Sequence, residues 1–131
     1  MRILLADDQP KVRFALRTLL ERRLGLEIVG EAVDIRDMWE QVETTCPDLL
    51  LLDWELPGPR ARDLMSALRA ICPNLRVIAM SAHTDVRQDA LQADVDGFVC
   101  KCEPPDSLLA AIGDLATNAD HVRKGNGSRG A

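Results

Sequence analysis

Five residues of this chain are of a type, and in a position, to do chemistry: Asp7, Asp8, Asp53, Ser81 and Lys101. Each directly follows a short apolar run, Asp8 one residue later than Asp7: Ile3-Leu4-Leu5-Ala6, Leu49-Leu50-Leu51-Leu52, Val77-Ile78-Ala79-Met80 and Gly97-Phe98-Val99-Cys100. If those runs are neighbouring parallel strands, the five side chains meet at the carboxyl edge of one sheet, where ligands of open α/β sheets bind. Three carboxylates held together repel unless a cation sits among them. Oxygen-only ligation by carboxylates, a carbonyl and water suits Mg²⁺ rather than zinc. A lysine beside such a cluster supplies a point charge for phosphate oxygens, and a serine supplies a neutral donor. The chemistry is that of placing a phosphoryl group on a carboxylate, with an acyl phosphate as the product. Asp53 is the preferred acceptor, because the central strand contributes it.

The apolar periodicity supports the strands that this requires. Between the continuous runs, apolar residues recur at helical spacing: Val12, Ala15, Leu16, Leu19 and Leu20, then Ile35, Met38, Trp39 and Val42, then Leu64, Leu68 and Ile71. Gly25 stops the first helix and Asp34 is placed to cap the second. Leu26 to Gly30 alternates like a half-exposed strand. Val86, Ala90 and Leu91 make only a weak stripe, which predicts a short, exposed fourth helix. Leu108, Leu109, Ile112, Leu115 and Ala116 line the last. Five strand–helix units with all-apolar strands demand a parallel sheet covered on both faces. Right-handed crossovers then favour a doubly wound, flavodoxin-like (βα)5 fold with strand order 2-1-3-4-5.

Composition narrows the function. The 131 residues carry 16 Lys+Arg against 21 Asp+Glu, a net charge of −5, and 47% are hydrophobic. That suits one domain with a real core and argues against a second. With no basic excess and four aromatics (Phe14, Trp39, Trp54, Phe98), a general nucleic-acid binder is excluded. No apolar run approaches the roughly 18 residues of a membrane span, and no leader pattern opens the chain. Cys46, Cys72, Cys100 and Cys102 make no CxxC pair, and two histidines cannot complete a zinc set. A chain with this much core does not need staples, so reduced, structural thiols in a cytosolic protein are expected. The domain is read over 1–119. Residues 120–131, ending in HVRKGNGSRGA, read as a flexible tail or truncated linker.

The set ADD (6–8), LLLLDWELPG (49–58), VIAMSAH (77–83) and GFVCK (97–101) resembles the receiver domain of two-component response regulators. The resemblance spans residues 1 to about 119, and its four pieces fall in order at four strand ends. It implies Asp53 as phosphoacceptor, Asp8 as direct Mg²⁺ ligand, Asp7 as a ligand through water, and the Glu55 backbone carbonyl as a further ligand. It implies Ser81 as the hydroxyl that swings toward the phosphoryl group, Lys101 as the site lysine and Phe98 as an aromatic that turns inward on activation. Glu55 and His83 occupy positions that tune phosphoryl lifetime in the family. Implied partners are a sensor histidine kinase or phosphotransfer protein, with homodimerisation on phosphorylation left open. Neither nucleic acid nor membrane is implied as a partner of this chain itself. The role is that of a cytoplasmic signalling phosphoacceptor and not of an enzyme on an external substrate.

Two departures stand out. Many members carry proline after the lysine; here Cys102 follows, and Pro104 and Pro105 come later, as in receivers that precede a LuxR-type helix-turn-helix. Trp54 is bulky beside the acceptor. Each residue alone has a plainer reading: Asp7-Asp8 as a solvated turn or cap, Asp53 as a cap, Ser81 as a loop hydroxyl, Lys101 as a surface charge, Phe98 as core. Their joint placement at strand ends favours the functional one. A degenerate receiver that only binds partners is the alternative. A haloacid-dehalogenase-type phosphatase is disfavoured, since it wants DxD on the first strand. A flavodoxin is disfavoured too, because Asp7-Asp8-Gln9-Pro10 would repel an FMN phosphate.

Overall fold

The apolar runs become strands, and their order decides what meets at the sheet edge. The structure, a computed structural model, describes residues 1–23 and 25–124, with side chains described through Ala116. The elements alternate as β1 (Arg2–Ala6), α1 (Pro10–Glu21), β2 (Glu27–Ala32), α2 (Ile35–Thr45), β3 (Leu49–Asp53), α3 (Leu64–Ile71), β4 (Arg76–Ser81), α4 (Arg87–Gln92), β5 (Gly97–Cys100) and α5 (Pro105–Lys124). All four pairings are parallel, in the order β2-β1-β3-β4-β5, as the sequence predicts.

Register sets the heights of the site residues. Ala6 lies opposite Leu52, so Asp7 and Asp53 stand level, one residue further on. Asp53 pairs with Met80, which places Ser81 one step higher. Ser81 pairs with Cys100, so Lys101 is a step higher again. The central strand β3 is buried at every position, including Asp53.

Strand side chains alternate between two cores. Leu4, Leu50, Leu52 and Val77 pack under α2, α3 and α4, meeting Ile35, Met38, Val42, Leu64 and Leu68. Ile3, Leu5, Leu49, Leu51 and Ile78 pack under α1 and α5, against Leu20, Leu108, Ile112 and Leu115. Each fully buried Leu or Ile is worth about 1.5–3 kcal/mol of transfer free energy. Asp34 caps α2 as expected, its carboxylate accepting from the Asp37 N–H at 2.7 Å. The loop after β3 is pinned to that cap, because the Ile35 N–H donates to the Pro57 carbonyl at 2.8 Å. Gly58 permits the approach: its φ is +121°, and a Cβ there would lie 2.9 Å from the Ile35 Cβ. A 3-10 turn (Thr84–Val86) precedes α4, which is short as predicted and fully buries only Ala90. No helix of the described residues is long and apolar enough to cross a membrane.

Several expectations need correction. The thiols are not separate: the structure joins Cys46 to Cys72 and Cys100 to Cys102. Cys46 and Cys72 terminate α2 and α3, and the packing of those helices on one sheet face brings their Cα atoms to 5.7 Å. Ile71 does not complete the core face of α3; at 40% exposure it lies at the helix end, beyond the sheet's cover. The α1 stripe is only partly used, with Leu20 buried, Ala15 exposed and Phe14 73% exposed. Helix α5 is described as far as Lys124, and residues 125–131 of the expected tail lie outside the described residues. The Lys101–Cys102 peptide is trans.

Candidate functional site

The carboxyl edge of β1 and β3 gathers an acidic cluster. Asp7, Asp8 and Asp53 each offer a carboxylate oxygen, and these lie within 4.8 Å of one another. Among the described residues there is no second group of this kind. Asp7 and Asp53 are buried; Asp8, at the mouth, is exposed. Local backbone shapes both buried acids. The Gln9 N–H donates to Asp7 Oδ1 at 2.8 Å, and the Glu55 N–H to Asp53 Oδ1 at 3.0 Å. Such turns are what an aspartate makes readily at the end of a strand.

One lysine serves two acids. From the end of β5, Lys101 Nζ donates to Asp7 Oδ2 at 2.7 Å and stands 3.4 Å from Asp53 Oδ1. Its backbone N–H is anchored to the Ser81 carbonyl at 2.7 Å. Burial opposes the charge on Lys101, but the hydrogen bond to Asp7 and the pull of Asp53 outweigh it and raise the pKa above the ordinary lysine value. Asp53 moves the other way for an acid to stay charged: burial, reinforced by the charges of Asp7 and Glu55, raises its pKa despite the Glu55 N–H and Lys101. Four carboxylates face one directly paired ammonium, with the Arg60 guanidinium near enough to feel Asp53 and Glu55 without an ion pair, and negative charge is left unmatched. The donor set is all oxygen, compact and anionic, and it fits a small hard divalent cation.

Ser81 is buried and already engaged. Its hydroxyl lies 2.8 and 2.9 Å from the two oxygens of Glu55, and its Oγ accepts from the His83 N–H at 2.9 Å. The exposed His83 thus bears on Ser81 through its backbone. Phe98 is half-buried against the α2–α4 core, with the Arg87 guanidinium 5.8 Å from its ring centroid. Asp7, Asp8, Asp53, Glu55, Ser81, His83 and Lys101 thus gather at this edge, while Phe98, level with Ala79, lies two strand positions below Ser81.

Two residues were missed. Arg60 stacks over the Trp54 ring at 4.6 Å and donates to the Trp54 carbonyl at 2.6 Å. On its other side Trp54 Nε1 donates to Asp89 Oδ2 of α4 at 3.0 Å. The bulky residue after Asp53 is therefore a strut from the acidic site to α4. An arginine in a loop and an aspartate on an exposed helix carry no periodic signal that would have revealed this.

Comparison with known proteins agrees with this geometry. The family model described as the response regulator receiver domain matches residues 3–113. The transcriptional activator protein ExaE of Pseudomonas putida is 37% identical over 115 residues, covering 86% of this chain and 53% of that protein. The nitrate/nitrite response regulator NarL of Escherichia coli is 32% identical over 116 residues, covering 87% of this chain and 54% of that protein. The chain thus spans about half the length of these relatives. Among solved structures, a LuxR-family two-component response regulator from an Aurantimonas species superposes with a TM-score of 0.79 at 32% identity, covering 89% of this chain and 85% of that one. The isolated receiver domain of RcsB from Salmonella enterica, solved with the phosphomimetic BeF3⁻, gives 0.80 at 26% identity, covering 89% and 88%.

Proposed function

The chain belongs to the response regulator receiver family, and from that premise we propose that it accepts a phosphoryl group on Asp53 and changes its binding surface in response. The observation that carries the proposal is the under-neutralised carboxylate of Asp53, level with Asp7 on adjacent strands and 3.4 Å from Lys101 Nζ. The donor is the phosphohistidine of a sensor kinase or phosphotransfer protein. An Asp53 oxygen attacks phosphorus as the phosphorus–nitrogen bond breaks, and the leaving imidazole nitrogen takes up a proton.

Asp7, Asp8, Asp53 and the Glu55 backbone carbonyl are the residues that would hold Mg²⁺, with Asp7 acting through water. The ion's contribution when bound is to offset negative charge on the phosphoryl oxygens. Lys101 is already aimed at Asp53 and shares that task from the protein side. Ser81 must exchange its Glu55 partner for a phosphoryl oxygen. Phe98, packed at the rim of the core, then fills the space released, and the surface of α4, β5 and α5 changes. Glu55 and His83, both hydrogen-bonded to Ser81, are placed to tune the lifetime of the phosphorylated state.

Function is thus signalling and not turnover of an external substrate, in the cytoplasm, with homodimerisation as one outcome of the altered surface. Regulation of transcription, which the name of the transcriptional activator ExaE assigns to that protein, would act through parts other than this acidic domain, which does not itself bind nucleic acid or membrane.

Intact-mass spectrometry with acetyl phosphate tests the reading. A single phosphoryl adduct, lost without Mg²⁺ and lost in Asp53→Asn, is expected. No adduct in the wild type, with no Mg²⁺-dependent change in tryptophan fluorescence, would replace the reading with a degenerate, partner-binding receiver.

A further inference from the structure

The lysine that serves Asp53 sits between two cysteines, and the structure bonds them to each other across it. Their Cα atoms are 5.2 Å apart, well inside the span a disulfide bridges. Cys100 is the buried last residue of β5, while Cys102 is exposed and open to a small reagent. The Cys102 N–H also donates to Cys100 Sγ at 3.2 Å, so the backbone of the ring folds back on the buried sulfur. Only one residue separates the pair, so closing the ring removes little freedom from the unfolded chain. Its effect is local, and the residue inside the ring is Lys101.

We propose that Cys100 and Cys102 form a thiol–disulfide modification site whose closure fixes the Lys101 backbone and so speeds phosphoryl transfer to Asp53. The reactant is a low-molecular-weight disulfide of the glutathione type. The Cys102 thiolate attacks one of its sulfurs, forming a mixed disulfide and releasing one thiolate. The Cys100 thiolate then attacks Cys102 Sγ, closing the protein disulfide and releasing the second. Two protein thiols are oxidised, one disulfide is reduced to two thiols, and the two protons pass to the leaving thiolates. A reversible pair of this kind is what a reducing compartment permits, where disulfides act as sensors and not as staples. In the closed form Lys101 is held by its N–H on the Ser81 carbonyl and by the ring on either side, and its Nζ reaches both Asp7 and Asp53. Opening the ring removes the covalent link and leaves Lys101 to weaker ties: its N–H on the Ser81 carbonyl, the Glu103 N–H on the Cys100 carbonyl at 3.0 Å, and the Nζ contacts with Asp7 and Asp53.

The effect on phosphorylation rests on Asp53 being the acceptor; the bond itself does not. The test uses the full chain, equilibrated in glutathione buffers from fully reduced to fully oxidised and then alkylated for peptide mapping. The 100–102 pair is expected to interconvert reversibly, and the oxidised form to take phosphoryl from acetyl phosphate about tenfold faster than the reduced. The double variant Cys100→Ser, Cys102→Ser should keep the slow rate in every buffer. The double variant Cys46→Ser, Cys72→Ser should keep the redox dependence. A pair that stays dithiol in oxidised glutathione, or equal rates in both states, overturns the proposal. If no redox state takes phosphoryl, the receiver reading fails by itself, and amide hydrogen exchange at Lys101 decides this proposal: protection lost on reduction supports it, unchanged protection sinks it.

Discussion

Glu31 and Asp53 are both carboxylates set beside cations, and they answer in opposite directions. Glu31, on the edge strand β2, takes Arg13 Nε at 2.9 Å on one oxygen and Arg17 Nε at 2.7 Å on the other. Burial works against its charge, yet the two arginines prevail and its pKa falls below the ordinary glutamate value. Asp53 has part of one lysine, shared with Asp7, and its pKa rises. Two cations for one acid make a joint between α1 and β2. One directly paired cation for a cluster of acids makes a site with standing demand for positive charge. A folded protein keeps such a site only at a cost in stability, which is the usual mark of function.

The sharpest way to break this contrast is to remove the shared cation. Lys101→Ala should destabilise the metal-free protein by about 3–5 kcal/mol, the range for stripping one partner from a buried pair. Millimolar Mg²⁺ should restore much of that loss in urea titrations, since binding to the folded state alone adds stability. A loss that Mg²⁺ does not touch would mean that Lys101 matters for packing and not for charge.

Next in size is relief at the acceptor. Asp53→Asn should stabilise the metal-free protein by about 1 kcal/mol at neutral pH. The sign follows from the raised folded pKa: the folded state binds the proton more tightly, so stability falls as pH rises from the unfolded to the folded value. The gain should therefore vanish in acid and be complete above the raised pKa. Thermal melts from pH 3 to 8 read it, and a flat difference would contradict the electrostatic account.

The smallest effect belongs to the satisfied acid. Glu31→Gln should cost about 0.5–1 kcal/mol at pH 7, kept low because the ion pairs are partly solvated. Its folded pKa is lowered, so the stabilisation is present above the unfolded pKa and disappears as pH falls through the folded one. Urea midpoints at pH 7 and pH 3 should differ from the wild type only at the former. A cost equal to that of Lys101→Ala would erase the distinction between joint and site.

The sequence by itself determined the strands, their order and which residues stand at their carboxyl ends. Continuous apolar runs such as Leu49–Leu52 admit only a sheet buried on both faces, and the residue that ends each run must emerge at its edge. Asp7, Asp8, Asp53, Ser81 and Lys101 were legible for that reason. Tertiary structure alone decided how they share charge: that Lys101 serves both Asp7 and Asp53, that Glu55 holds the Ser81 hydroxyl, that Arg60 and Asp89 brace Trp54, and that the cysteines pair. Those outcomes depend on rotamers and loop paths that bring together residues from 2 to 94 positions apart. Periodicity records which face a residue occupies, and it carries no information about which of several neighbours on that face the side chain will choose.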